Sequence, residues 1–228
     1  MGRRTAGELP ETAIATAPSL YTRSEEIANW LTHACGALLS AAALAFLVLV
    51  ARTRGDAWHL LSFSVFGVSL LVLYTISTLY HAARTKRQRE WYQRLDHAAI
   101  FVLIAGTYTP FLLTKLRGHW GWLLLAVVWL VCGAGALYKL ARGEGNEIAS
   151  TLGYLLVAWL IVVAINPLLS ALPPAAVWCL FAGGAFYTSG VVFFLWHRLR
   201  YHHAIWHAFV LGGSACHFCA VIFLAPPA

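Results

Sequence analysis

The chain reads as an all-α, polytopic membrane protein: a seven-transmembrane helix bundle with its N-terminus cytoplasmic and its C-terminus outside. Three observations predict this. Of 228 residues, 60% are hydrophobic and 11% charged, against roughly 25% charged in a soluble chain, so a soluble surface could not be covered. Apolar stretches of about the 20 residues needed to cross a bilayer recur between short polar breaks. Lys and Arg, finally, fall unevenly on the two sides those stretches define.

Taken in order, residues 1–24 mix Arg3, Arg4, Pro10 and Pro18 with Ala and Thr, with no apolar run behind the arginines. They read as a flexible cytoplasmic tail, not a signal peptide. Residues 25–228 form one seven-span domain, with spans at about 27–50, 58–81, 95–114, 120–139, 148–168, 175–196 and 203–224. Asn166-Pro167 ends or kinks the fifth span. Gly183, Gly184 and Gly190 in the sixth, with Gly212 and Gly213 in the seventh, suit close helix approach.

With the N-terminus inside, one side holds Arg3, Arg4 and Arg23, then Arg84, Lys86, Arg87, Arg89 and Arg94, then Lys139 and Arg142, then Arg198 and Arg200. That is twelve of the 16 Lys and Arg, and the positive-inside rule makes it the cytoplasmic side of the cell membrane. The formal charge of +7 is then mostly a collar facing anionic lipid, and nucleic-acid binding is not implied. Cys35, Cys132, Cys179, Cys216 and Cys219 are dispersed through apolar helices and read as small buried residues without a disulfide framework.

The same topology brings ionisable groups to one depth. His81 ends the second span, Asp96 begins the third, and His203 and His207 begin the seventh. Glu26, Asn29 and His33 open the first. Ionisable groups within a membrane are costly and mark functional sites. His203 and His207, four apart on a helix, share a face and can grip one ion, while His202 points away. Ser77 stands four residues before His81, which places a hydroxyl beside a third imidazole. Three histidines with one open position make a catalytic zinc arrangement, and Asp96 could orient the water or accept its proton. A lone HxxxH is a weak signal; the convergence of His81 and Asp96 at matching depth is what strengthens it. His33 and His217 read as hydrogen-bonding or lumen-lining groups, since His217 lies about 15 Å beyond His207 along the helix. His59, His119 and His197 read as interfacial, and His97 as structural.

Glu26-x-x-Asn29-x-x-x-His33, Ser77-x-x-x-His81 followed by Leu95-Asp96, and His203-x-x-x-His207 with His217 beyond resemble the three signature motifs of the hemolysin III family. That family is the bacterial branch of the progestin and adipoQ receptor superfamily, to which the adiponectin receptors belong. Ala105-Gly-Thr-Tyr-Thr-Pro110 and Trp206-His-Ala-Phe-Val-Leu-Gly-Gly-Ser214 are similar to hemolysin III proteins in particular. The resemblance covers about residues 25–224. It implies a seven-helix fold with zinc on His81, His203 and His207 and with Asp96 and Ser77 beside the reacting water. Related members and the distantly similar alkaline ceramidases suggest hydrolysis of a lipid amide, its substrate entering sideways from the bilayer, in a role in membrane homeostasis. The alternatives are a non-enzymatic sensor of membrane state with structural zinc, and a pore-forming haemolysin.

Overall fold

The computed structural model describes residues 21–143 and 145–227; the tail residues Arg3, Arg4, Pro10 and Pro18 lie outside them. Among the described residues the chain forms α1 (Arg23–Arg54), α2 (Ala57–Ala82), α3 (Lys86–Thr114), α4 (His119–Arg142), α5 (Glu147–Ala158), a 3₁₀ segment (Trp159–Ala164), α6 (Ile165–Ala171), α7 (Pro174–Phe194) and α8 (His202–Ile222). With α5, the 3₁₀ segment and α6 counted as one, seven helices are long and apolar enough to cross a membrane. The chain is a multi-pass membrane protein.

Caps explain where the helices begin. Thr22 with Glu25 and Thr85 with Gln88 form capping boxes, Asp56 accepts from the backbone of Trp58 and His59, and Asn146 caps Ala149. The box at Thr85 starts α3 at Lys86, nine residues before the expected start at 95, because a reciprocal cap offsets the polarity of the first two turns. Those turns carry charged residues beyond the apolar part of the span.

Neighbouring helices pack in sequence from α1 to α4; α8 closes back on α1 and pairs along its length with α7. The fifth span is attached more loosely, and its contacts with α3, α4 and α7 are few. Close approach of α2 and α3 depends on Gly106, where an added Cβ would overlap the Ser69 side chain.

Pro167 kinks the fifth span without ending it. Its ring would clash with the carbonyl of Val163 in a regular helix, and the preceding residues wind instead as the 3₁₀ segment. Backbone groups released at membrane depth need partners, and Tyr108 supplies them. Its hydroxyl accepts from Ile161 N at 2.7 Å and lies 2.9 Å from both Val157 O and Ala158 O, to which it donates. The Ala105–Pro110 motif therefore stitches the broken span to α3.

Two sequence expectations need correction. Cys35 and Cys219 are exposed and only Cys132 is fully buried; all five thiols are free. In lipid a small apolar side chain at the surface carries no penalty, so burial does not follow from hydrophobicity. The basic collar does not all face lipid either: Lys139 is buried, and the Arg89 guanidinium turns inward to Glu26.

Candidate metal centre

Two helices supply the candidate ligands at the basic end of the bundle. His81 comes from the last turn of α2, and His203 and His207 from the first two turns of α8. One ligand atom from each lies within 4.8 Å of the other two, and the trio could hold a metal ion. Two nitrogens on one zinc can be at most about 4.2 Å apart, so small ring rotations suffice to close the site.

Each imidazole is held from outside through Nδ1. His81 Nδ1 lies 2.8 Å from Glu26 Oε2, and the other oxygen of that carboxylate pairs with Arg89. His207 Nδ1 lies 3.1 Å from Asn29 O and 3.1 Å from Thr32 Oγ1. His203 Nδ1 lies 3.1 Å from the Tyr21 hydroxyl. A carbonyl and a carboxylate only accept, so His81 and His207 carry their protons on Nδ1. The Tyr21 oxygen can accept in the same way. All three lone pairs then sit on Nε2, the tautomer a metal ligand requires. His81 Nε2 is buried and has no hydrogen-bond partner among the described residues, as expected of an atom reserved for an ion.

Local structure at the start of α8 sets this geometry. Tyr201 adopts a left-handed conformation at φ 59°, uncommon for a bulky side chain, and its backbone N–H donates to Glu25 Oε1 at 3.1 Å. The first turn of α1 thus anchors the first turn of α8 while Glu26, one residue on, orients His81. His33 stacks on His207 with ring centroids 3.5 Å apart and meets the edge of Tyr74 at 5.0 Å. Neither its nitrogens nor the Asn29 amide find a partner among the described residues, and His33 packs on His207 and lines the cavity.

Asp96 and Ser77 line the same cavity, of about 450 Å³. Asp96 is not one of the clustered ligands, and the Arg94 side chain turns to Leu140 O on α4 at 3.4 Å. Leu73, Ile100, Ile104, Val191 and Val210 give the cavity apolar walls, and His97 and Lys139 reach it near the basic end. His217 lines the far end and places Nε2 3.1 Å from Leu180 O.

Of the predicted residues, His33, Ser77, Asp96, His203 and His207 line one cavity, His81 clusters with the last two, Glu26 and the Asn29 carbonyl hold His81 and His207, and His217 stands apart at its depth. His202 is buried, with Nδ1 3.1 Å from Phe193 O. His59 belongs to the Asp56 cap, and His197 sits 3.2 Å from Glu147. Sequence reasoning missed Tyr21, Thr32 and Arg89. Thr32 could have been found, since it precedes His33 on the helix that carries Glu26 and Asn29. Tyr21 lies before that helix, where spacing predicts nothing, yet burial holds its hydroxyl protonated.

Comparison with known proteins agrees with this architecture. The chain is 46% identical over 204 residues to the hemolysin-3 homolog of Bacillus subtilis (strain 168), covering 90% of this chain and 96% of that protein. It is 47% identical over 203 residues to hemolysin-3 of Bacillus cereus, covering 89% and 93%. The monocyte to macrophage differentiation factor of Homo sapiens is 29% identical over 217 residues, covering 90% and 84%. The family model described as haemolysin-III related matches residues 21–218, and the chain therefore belongs to the haemolysin-III related family.

Proposed function

We propose that the protein is a zinc-dependent membrane hydrolase that cleaves a lipid amide or related acyl bond and so contributes to membrane homeostasis. The observation that carries this reading is the common orientation of three imidazoles, each turned by an outer partner to offer Nε2, beside a carboxylate in an apolar-walled cavity. Held by His81, His203 and His207, zinc would supply Lewis acidity toward a carbonyl and toward a water in the remaining position. The rest falls to the chain. Ser77 orients Asp96, which accepts a proton from water as its oxygen bonds to the acyl carbon. Asp96 returns that proton to the departing nitrogen as the C–N bond breaks, leaving a fatty acid and an amine.

A lipid substrate suits these walls, since an apolar tail keeps its favourable surroundings by passing directly from hydrocarbon to cavity. A side route is favoured by a second, small pocket between Leu155 and Trp159 of the fifth span and Phe181 and Gly184 of α7, which shares Tyr187 and His217 with the main cavity. The positive-inside bias would put the metal centre at the cytoplasmic surface.

Purified protein should contain about one equivalent of zinc and release fatty acid from long-chain ceramides or simpler acyl amides, and His207→Ala should abolish both. Metal-loaded protein that turns over no acyl amide would favour the second reading, in which the ion is structural. That reading has its own support: α2 and α8 make little direct backbone approach, so a shared ion would tie them together.

A further inference from the structure

We propose that His217 forms a subsite for a hydroxyl group carried in the second half of a long-chain ligand. The inference rests on the reading of the cavity as a lipid site. His217 lies on the same helix as His203 and His207, ten residues beyond the latter, which places it about 15 Å deeper. The intervening walls are apolar, so a polar group at the far end of such a space calls for a reason.

The tautomer decides what that group can receive. Leu180 O only accepts, so the 3.1 Å contact requires the proton on Nε2, and the neutral ring presents Nδ1 as an acceptor. Nδ1 is buried and, among the described residues, no donor reaches it. Its polar neighbours make their hydrogen bonds with other groups. Tyr74 donates to Ser214 Oγ at 2.7 Å, and the Tyr187 hydroxyl lies 2.8 Å from that same Oγ. Thr107 donates to Leu103 O. An acceptor left without a donor costs the full desolvation of the group, and the complementary ligand feature is a hydroxyl.

The fold also makes a seat for the ring. The Cδ2–Nε2 edge of His217 lies where a Cβ on residue 183 would stand, so only glycine at that position admits it. With that edge fixed against α7 by the Leu180 bond, Nδ1 cannot swing away. A ligand whose chain carries its hydroxyl beside the carbonyl would put it near Asp96 and leave His217 unmatched. One hydroxylated well down the chain would match it.

Fatty acids test this without interference from turnover, since they are products of the proposed reaction. Full-length protein in nanodiscs would be given radiolabelled octadecanoic acid and challenged with the unlabelled acid, its analogue hydroxylated beside the carboxyl, and its analogue hydroxylated in the second half of the chain. The last should compete roughly three- to tenfold better than the plain acid. His217→Leu should erase that preference while binding the plain acid as before and keeping its metal. His217→Gln, which retains an acceptor, should preserve part of it and decides the matter should the leucine variant fail to fold. Equal binding of all three acids by the wild type, or a preference that survives His217→Leu, overturns the subsite alone. Failure of any acid to bind overturns the subsite together with the lipid reading of the cavity.

Discussion

The first, second, third and seventh spans and the fifth span are all apolar enough to cross a membrane, yet they hold the cavity in opposite ways. The former pack along their lengths, and α3 is the most enclosed of all. Every imidazole of the candidate metal centre is fixed there by a partner outside its own helix. The fifth span touches its neighbours sparingly, is broken into a 3₁₀ segment, and is tied down around that break by Tyr108 and by the Trp159 indole bonded to Thr188 at 3.0 Å. A metal centre needs donor atoms held within about 0.5 Å, whereas a wall that admits a lipid chain must be able to give. On the proposed reading of the site, the bundle divides those two demands between its halves.

The sharpest way to break that division is at the ligands. His81→Ala, His203→Ala and His207→Ala should each strip most of the metal, measured by elemental analysis, while His217→Ala keeps it. Stoichiometric zinc in a His203→Ala, His207→Ala double variant would refute the assignment. Asp96→Asn comes next. It should keep metal and fold but slow turnover about 10²–10⁴-fold, because the amide is nearly isosteric and cannot take a proton near neutral pH. Undiminished turnover with zinc present would remove Asp96 from the chemistry.

Glu26→Gln tests the outer shell of the rigid half. The uncharged amide can turn either its oxygen or its N–H toward His81 Nδ1, so the tautomer is no longer fixed by a carboxylate, and metal affinity should fall about 10–100-fold in a chelator competition. On the loose side, Tyr108→Phe should lower stability by about 1–3 kcal/mol, since the Ile161 amide loses its acceptor at membrane depth. Its metal content should not change; zinc loss there would show that the two halves are not independent. The smallest effect belongs to Asp56, far from the centre at the start of α2. Bonds from the His59 backbone hold its carboxyl below its ordinary value. Its cap is therefore present above pH ~4 and is lost as the pH falls through the lower folded value. Asp56→Ala should cost about 1 kcal/mol at neutral pH, read as a small drop in melting temperature, with metal retained.

Much of this was legible in the chain. Span number and type follow from composition and length alone, because a bilayer demands about 20 apolar residues per helix and closes off other structures. His81, Asp96, His203 and His207 could be matched because crossing the membrane an alternating way returns distant residues to one depth, and helical spacing then orients neighbours four apart. Depth and spacing carry no information about azimuth. That is why the inward turn of Arg89 and the stacking of His33 on His207 were out of reach.

What the sequence by itself determined, then, is the helical bundle and the set of polar residues gathered at its basic end, since both depend on hydrophobicity and on periodicities local to each span. Only the tertiary structure decided which nitrogen each histidine offers, that Tyr21 completes the centre, and that the fifth span breaks at Trp159–Ala164 and not at Pro167 itself. Each of these depends on a partner distant in the chain: Glu26 for His81, the Asn29 carbonyl for His207, Tyr21 for His203, Tyr108 for the broken backbone. Such pairings are fixed by helix rotation and packing, which no single helix encodes.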